Sequence, residues 1–480
     1  MSLDLGNPTR GASDRPFSHK QTHARGAEAG YAKRPAKGDQ GKKRRFSVSG
    51  ILVRTAIQLK FWVCYIKQRH RPVLSFWYLL AYDELRRQLP MTTQAQPKAP
   101  RKLHTQTVDE MAGRVRHPID QAALERYIEK NVPEIKTPIE IKQFGFGQSN
   151  PTYQLTSATS TRYVLRKKPP GKLLSKAAHK VEREHRIIHA LEPTDVPVPR
   201  ALCLCEDDAV VGTPFYIMEF LDGRIFEDAA MPEVADPAER KALWRAATQT
   251  LAKLHRVDPK SVGLEGYGKR DGFYDRQIAT WTTICESQAA AEDRETGERV
   301  GDLPHFGEMI GFFKDKAAQP RDRGTLIHGD FKIDNIVFHK TEARVIGVLD
   351  WEMSTVGHPL SDLCNFLTPY FTASRGNSGV YAHEGFLAGA TPGLPSVEEI
   401  VGWYAAEAGW DPAPELNWGM AFNVFRLSAV LQGIAARAAQ GQASSEQAKR
   451  YAVTRGPLAE FAWELVGRSM EQGKKGRAKL

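Results

Sequence analysis

The chain is predicted to be α+β and built of two lobes, a small β-rich N-lobe over residues 113–222 and a larger, mainly helical C-lobe over residues 223–470. Three observations predict this. Five short β-like segments crowd into residues 138–222 around one helix, and apolar-periodic helical stretches dominate from residue 223 on. At 480 residues and 41% hydrophobic, the chain also has the apolar surface for two cores.

In the N-lobe, Pro118-Ile119-Asp120 precedes QAALERYIEKNV, where Leu124, Tyr127 and Ile128 fall on one helical face. Strands are predicted at 139–144, 152–156, 162–166, 201–205 and 214–220, with a helix at 175–190 between the third and fourth and a hairpin at 203–211. In the C-lobe, 238–255 is a long periodic helix entered just after Pro237, 307–317 and 360–371 read as core helices, and 396–408 and 417–440 supply two more. Residues 261–305 hold Gly, acidic and aromatic residues without clean periodicity and are expected to be a substrate lid or a variable insertion. The tail, 471–480, is polar and expected to be flexible.

Residues 1–112 form a basic extension and linker, disordered over 1–49, with an apolar and basic mixture at 51–89 that suits one or two amphipathic helices. A matrix-targeting role is one option for this stretch. Met91 opens MTTQAQPKAP, an ordinary polar start, so an upstream extension of the gene model is the more economical one. The net charge of +11 belongs to this end: residues 1–80 carry 16 Lys and Arg against 4 Asp and Glu, and the remainder 51 against 52. The body therefore carries no global field for a nucleic acid. Five cysteines without metal-ligand spacing suggest reduced buried thiols, and the N-terminal apolar runs are too short to span a bilayer, so a soluble intracellular chain is expected. The end Ala478-Lys479-Leu480 is a conservative variant of a peroxisomal address and would engage an import receptor, with cytoplasm or mitochondrion as the alternatives.

The chemistry concentrates at His328-Gly329-Asp330-x-Lys332-x-x-Asn335, followed by two apolar runs and by Asp350 where the second stops. Asp330 is placed to orient or deprotonate a hydroxyl. Asn335 and Asp350 can hold Mg²⁺ through oxygen alone, and Lys332, two residues past the base, can reach a terminal phosphate. His328 reads more readily as an orienter of the loop than as a base, and Asp334 as solvent-facing. Together these are the parts needed for phosphoryl transfer from ATP.

Upstream, Gly145 and Gly147 sit between two predicted strands, where a hairpin could offer backbone N–H groups to phosphates with Ser149 as a hydroxyl donor. Strand alternation puts Val164 and Arg166 on one face. Glu184 is the sole acid in the helical stripe Ala177, Val181, Glu184, Ile188, Leu191 and needs a partner; Arg166 is the natural one, its guanidinium then aimed at the α/β-phosphates, with Lys167 as a competitor and a purely structural ion pair as the alternative. Met218, Glu219 and Leu221, ahead of Gly223, suit a hinge whose backbone reads an adenine edge, or equally a plain core strand.

On these motifs the chain resembles the aminoglycoside phosphotransferase-like and choline-kinase-like family, marked by H-G-D-x-x-x-x-N, a strand and an aspartate, over about residues 120–465. The resemblance implies a two-lobed protein-kinase-like fold, with Asp330 as base, Asn335 and Asp350 as magnesium ligands, Arg166 paired to Glu184 on the phosphates of ATP, and Asp362 as a buried acid bracing the catalytic loop. Family members often carry histidine where Lys332 stands. Only six residues separate Asp350 from Gly357, too few for the platform that holds a peptide, so a small-molecule hydroxyl is the expected acceptor. Within the family, YVLRKKPPGKLL, YGKRDGFYDRQIATW, LDWEMSTVGHPLSDL and FRLSAVLQGIAARAAQG resemble the kinase-like domain of the long acyl-CoA dehydrogenase family members ten and eleven. That subgroup implies a 4-hydroxyacyl-CoA acceptor in fatty-acid breakdown, held against a basic rim of Lys167, Lys168, Lys172 and Lys176. Aminoglycoside, choline, ethanolamine or sugar acceptors are the rivals, and a pseudokinase scaffold is the non-enzymatic one.

Overall fold

The computed structural model describes residues 112–113, 115, 118–145, 150–169, 180–373, 383–442 and 447–477. The predicted extension and its 51–89 helices, Gly147, Ser149, Lys172, Lys176 and residues 478–480 lie outside the described residues.

The N-lobe comprises β1 (Ala112–Gly113), α1 (Gln121–Asn131), β2 (Glu140–Phe144), β3 (Thr152–Thr156), β4 (Arg162–Lys167), α2 (Val181–Leu191), β5 (Ala201–Cys205), the single turn α3 (Asp208–Val211) and β6 (Phe215–Glu219). Its sheet has the order β1-β2-β3-β4-β6-β5, antiparallel throughout. Period-2 alternation divides the lobe into two apolar layers. Tyr163 and Leu165 of β4 and Phe215 and Ile217 of β6 pack with Leu124 and Ile128 of α1, whose start is capped by the Asp120 carboxylate accepting from the Ala123 N–H. Val164, Tyr216 and Met218 face the other way, against Val181, Ile187 and Ile188 of α2, and join a core continuous with the C-lobe. The sheet face that carries Arg166 therefore looks toward the second lobe. The predicted 203–211 hairpin is corrected: Asp207 caps a helical turn there, and the strands that pair are β5 and β6.

The C-lobe runs through α4 (Pro237–Arg256), α5 (Phe273–Ala289), α6 (Phe306–Lys314), β7 (Thr325–Ile327), β8 (Ile336–Phe338), β9 (Val345–Val348), β10 (Thr355–Gly357), α7 (Leu360–Thr372), α8 (Val397–Ala408), α9 (Leu416–Ala439) and α10 (Gln447–Arg477). Asp236 caps α4 with Pro237 in its first turn, and Leu243, Trp244, Ala247, Leu251 and Leu254 supply its buried stripe. By length and composition α9 could cross a membrane, but 78% of its apolar window is buried against its neighbours, as in a core helix. Two expectations are corrected. Residues 261–305 contain α5, whose buried Phe273, Tyr274, Ile278, Cys285 and Ala289 are diluted by polar residues and flanked by glycines, which hides the periodicity in a wide window. The tail is helical as far as Arg477, because α10 continues through it.

Two antiparallel pairs shape the site: β7 with β10, and β8 with β9. The predicted hinge glycine, Gly223, lies against the second pair, where an added Cβ would stand 2.3 Å from the Phe338 carbonyl oxygen. Arg224 then exchanges backbone hydrogen bonds with Phe338, both at 2.8 Å. Gly223 is thus required for close approach of the chain to β8 rather than for freedom to swing.

Candidate active site

β7 ends at Ile327 and delivers the loop 328–335 into the space between β10 and α7. The loop is held from below by Asp362, fully buried in the first turn of α7, whose oxygens accept the His328 N–H at 2.6 Å and the Gly329 N–H at 2.8 Å. Asp362 is held in turn by His255 Nε2 at 3.3 Å, and His255 Nδ1 meets the Tyr404 hydroxyl at 2.7 Å. Burial alone would raise the Asp362 carboxyl, but the His255 contact and the His328 N–H outweigh it and hold it below the ordinary 3.8. Gly329 has φ +87°, and a Cβ there would stand 2.5 Å from the Met353 carbonyl oxygen, so the tight turn into Asp330 admits only glycine.

His328 is fully buried with both ring nitrogens engaged: Nδ1 accepts the Asp330 N–H at 3.2 Å, and Nε2 lies 2.8 Å from the Leu349 carbonyl oxygen. With Nδ1 accepting, the proton sits on Nε2 and donates to Leu349. The histidine named among the catalytic candidates therefore has no nitrogen for a substrate. It ties the loop to the strand end that carries Asp350.

Asn335 donates its amide N–H to the Asp330 carbonyl oxygen at 2.9 Å and to Asp330 Oδ2 at 3.2 Å, leaving its amide oxygen for a cation. Asp330 Oδ1 accepts from Asn365 of α7 at 3.3 Å, and Lys332 Nζ lies 3.6 Å from Asp330 Oδ2 and 3.0 Å from Asp334 Oδ2. Asp334 is exposed as expected, yet it serves as a partner of Lys332. Burial pushes the Asp330 carboxyl above its usual range, opposed by Lys332 and His328. Burial opposes the Lys332 charge, but Asp330 and Asp334 prevail and raise its pKa, so it stays an ammonium.

Across the cleft, Arg166 Nε lies 2.9 Å from Glu184 Oε2, and its Nη2 donates to Asp350 Oδ1 at 2.7 Å. The expected pair is thus one half of a bridge that also reaches Asp350. Glu184, 1% exposed, receives further hydrogen bonds from Asn150 Nδ2 at 2.7 Å and the Tyr216 hydroxyl at 3.1 Å. Burial pushes its carboxyl up to about 7, against the downward pull of Arg166. Lys167 points to the opposite face, where it is buried and donates to the Val211 carbonyl oxygen at 2.8 Å, so it neither competes with Arg166 nor forms part of a basic rim. Lys168 is paired with Glu182 at 2.9 Å.

Arg166, Met218, Glu219, Leu221, Lys332, Asn335 and Asp350 line one cavity of about 520 Å³ between sheet and C-lobe, and Gly145 follows Phe144 at its rim. Asp330 borders it through Asn335 and Lys332. Asp350 itself has φ +65°, a strained backbone for an aspartate that turns its carboxylate into the cleft beside Arg166. Sequence reasoning missed Asn150 and Asn365. Asn150 directly follows Ser149 in the sequence, and Asn365 stands three positions after Asp362, one helical turn along the same face, so spacing could have found it.

A family model described as the phosphotransferase enzyme family matches residues 140–400. Acyl-CoA dehydrogenase family member 11 of Gallus gallus is 41% identical over 364 residues, covering 74% of this chain and 44% of that protein. Acyl-CoA dehydrogenase family member 10 of Mus musculus is 39% identical over 352 residues, covering 72% of this chain and 31% of that protein. The chain thus spans less than half the length of these relatives. Among solved structures, a Ralstonia eutropha protein designated a candidate aminoglycoside phosphotransferase is 34% identical with a TM-score of 0.62, covering 73% of this chain and 99% of that one.

Proposed function

This chain belongs to the phosphotransferase enzyme family, and on that premise we propose that it moves the γ-phosphoryl group of Mg-ATP to a hydroxyl of a small molecule. The observation that carries the proposal is the meeting of Asp330, Asn335 and Asp350, drawn from a loop and a strand end of the C-lobe, with Arg166 and Glu184 of the N-lobe around one cleft.

The donor set suits Mg²⁺, which takes one or two carboxylates and completes its shell with phosphate and water. The Asn335 amide oxygen and the Asp350 carboxylate would hold it, and no larger cluster of acids or histidines is needed; none occurs among the described residues. When bound, the ion neutralises charge on the phosphate oxygens. Arg166, kept charged by Glu184 and Asp350 against the cost of its burial, faces the phosphates. Asp330 orients the acceptor hydroxyl and receives its proton as the oxygen attacks the γ-phosphorus. The bond from that phosphorus to the β–γ bridging oxygen breaks, ADP leaves, and the Lys332 ammonium balances charge on the transferred group.

The favoured acceptor is a 4-hydroxyacyl-CoA. Its support is the similarity to acyl-CoA dehydrogenase family members and the shortness of the Asp350–Gly357 stretch, where β10 pairs with β7 directly and leaves no room for a peptide platform. An aminoglycoside, choline, ethanolamine or sugar acceptor is the second option, the aminoglycoside favoured by the likeness to the Ralstonia protein. Purified protein should be incubated with ATP and a panel of hydroxyacyl-CoAs, choline-like alcohols, aminoglycosides and sugars, and each acceptor weighed for the gain of a phosphoryl group. Phosphorylation of the hydroxyacyl-CoA alone supports the proposal, and ATP consumption without any phosphorylated acceptor rejects it.

A further inference from the structure

The segments around Trp281 and Arg426 are not used by the phosphoryl-transfer machinery, yet they lie next to it. Asn365 of α7 holds Asp330 Oδ1, and its neighbour Cys364 offers a carbonyl oxygen to Asn423 of α9, whose amide also donates to Thr368 Oγ1 at 2.8 Å. Arg426 is one helical turn beyond Asn423 and so emerges on the same side of α9, toward α7 and α5. From α5 the Trp281 ring comes within 5.8 Å of its guanidinium, while the indole N–H is spent on Gln277 at 3.2 Å.

Arg426 is partly buried, and its Nε is shut off from solvent with no hydrogen-bond acceptor. Among the described residues no Asp or Glu carboxylate reaches it at ion-pair distance. Burial, the dominant influence, lowers its pKa, opposed by the buried Tyr274 phenol and then by Asp362 and Asp330, none of which hydrogen-bonds it. A desolvated guanidinium without a counter-charge is costly, and an arriving anion or polarised oxygen would relieve that cost. Lys332, the cation of the catalytic loop, is already engaged by Asp330 and Asp334. One free planar fork beside a tryptophan suits the two oxygens of a carboxyl group, or the carbonyl of a thioester, and it repels an ammonium.

We propose that Arg426 reads the acceptor: it takes a carboxyl-derived oxygen, carboxylate or thioester carbonyl, of a hydroxyl-bearing substrate whose hydroxyl lies at Asp330. This deepens the phosphotransferase proposal and rests on it for the identity of the second substrate. It also selects against choline-like and aminoglycoside acceptors, which bring positive charge to a site that already holds an unpaired one.

The test is calorimetric binding, which needs no turnover, with 4-hydroxypentanoate, its CoA thioester, the matched 1,4-pentanediol and choline as probes for the full chain. The wild type should bind the acid or the thioester in preference to the diol and choline, and Arg426→Gln should weaken the preferred probe about tenfold or more while leaving ATP affinity unchanged. Arg426→Lys should retain part of the preference. The comparison of acid and thioester shows which carboxyl form is read. Equal binding of acid, thioester and diol by the wild type, binding of none of them, or an undiminished affinity in Arg426→Gln overturns the assignment. If Arg426→Gln does not fold, the wild-type preference and its partial survival in Arg426→Lys still decide. An acid or thioester that binds through Arg426 while no acceptor of the panel is phosphorylated would instead reject the kinase proposal and leave the binding role of Arg426 standing.

Discussion

Asp330 is a carboxylate whose surroundings pull in two directions, with burial raising its pKa and Lys332 and His328 lowering it, and the balance lies above the ordinary 3.8. A base must be ionised to work, so kcat/KM should fall on an acid limb centred above that value, and a limb at the ordinary carboxylate position would remove Asp330 from the role. The sign for stability is the reverse. A raised carboxyl favours the folded state at low pH and loses that contribution as pH rises through its folded pKa, so Asp330→Asn should melt higher than wild type at neutral pH and gain less under acid. The same variant should lose about 10²- to 10⁴-fold in turnover while still binding nucleotide, as read by single-turnover kinetics and calorimetry. Asp350 differs because it meets Arg166 directly. Asp350→Ala should abolish most of the Mg²⁺-dependent part of ATP affinity, seen as closely matching affinities with Mg²⁺ and with EDTA.

At the scale of the element, the catalytic loop stays in place because α7 begins with an acid aimed at two of its N–H groups, and because glycine at 329 permits φ +87° against Met353. Gly329→Ala should cost at least about 1–2 kcal/mol in urea unfolding for the left-handed backbone alone, and more for the Met353 clash, with turnover falling further than stability. A fully active, equally stable alanine variant would show that the turn relaxes freely. Asp362 carries a stability term of opposite sign to that of Asp330: its carboxyl is lowered on folding, so its contribution is present above its unfolded value near 3.8 and is lost as pH falls through its folded one. Asp362→Ala should therefore destabilise by about 3–5 kcal/mol at neutral pH and by less in acid. His328, by contrast, is an element-level residue in a catalytic-looking place. Its ring joins the loop to Leu349, a use that a motif alone cannot separate from proton transfer.

For the whole molecule, the lobes meet through α2 as well as through the chain at Gly223. Arg183, beside Glu184 on α2, donates to the Tyr267 and Ser354 carbonyl oxygens at 3.0 and 3.2 Å and stacks 4.0 Å from the Tyr267 ring, while the Tyr267 hydroxyl lies 2.7 Å from Ser354 Oγ. This latch sets the height at which Glu184 presents Arg166 to Asp350. Arg183→Ala should raise KM for ATP several-fold with a smaller effect on the acceptor, on the order of 1 kcal/mol of nucleotide binding, and an unchanged KM would show that Glu184 is held without it.

Much of this architecture was legible from local pattern. The strands at 140–144, 152–156, 162–167, 201–205 and 215–219 follow from short runs of β-branched, aromatic and other apolar residues whose alternate positions enter two apolar layers, and the helices over Pro237–Arg256 and Leu360–Thr372 from a 3.6-residue apolar stripe. The order of His328, Asp330, Asn335 and Asp350 was equally visible, since short spacing fixes a loop's chemistry. Partnership was not. Arg166 and Asp350 are 184 positions apart, Arg426 is isolated only because three helices converge around it, and Lys167 and Arg166, adjacent in sequence, end on opposite faces of a sheet. Covalent neighbours determine which element forms and which groups it carries. Which of those groups meet, and which charge is left without a partner, depends on how buried faces pack, and only the folded chain decides that.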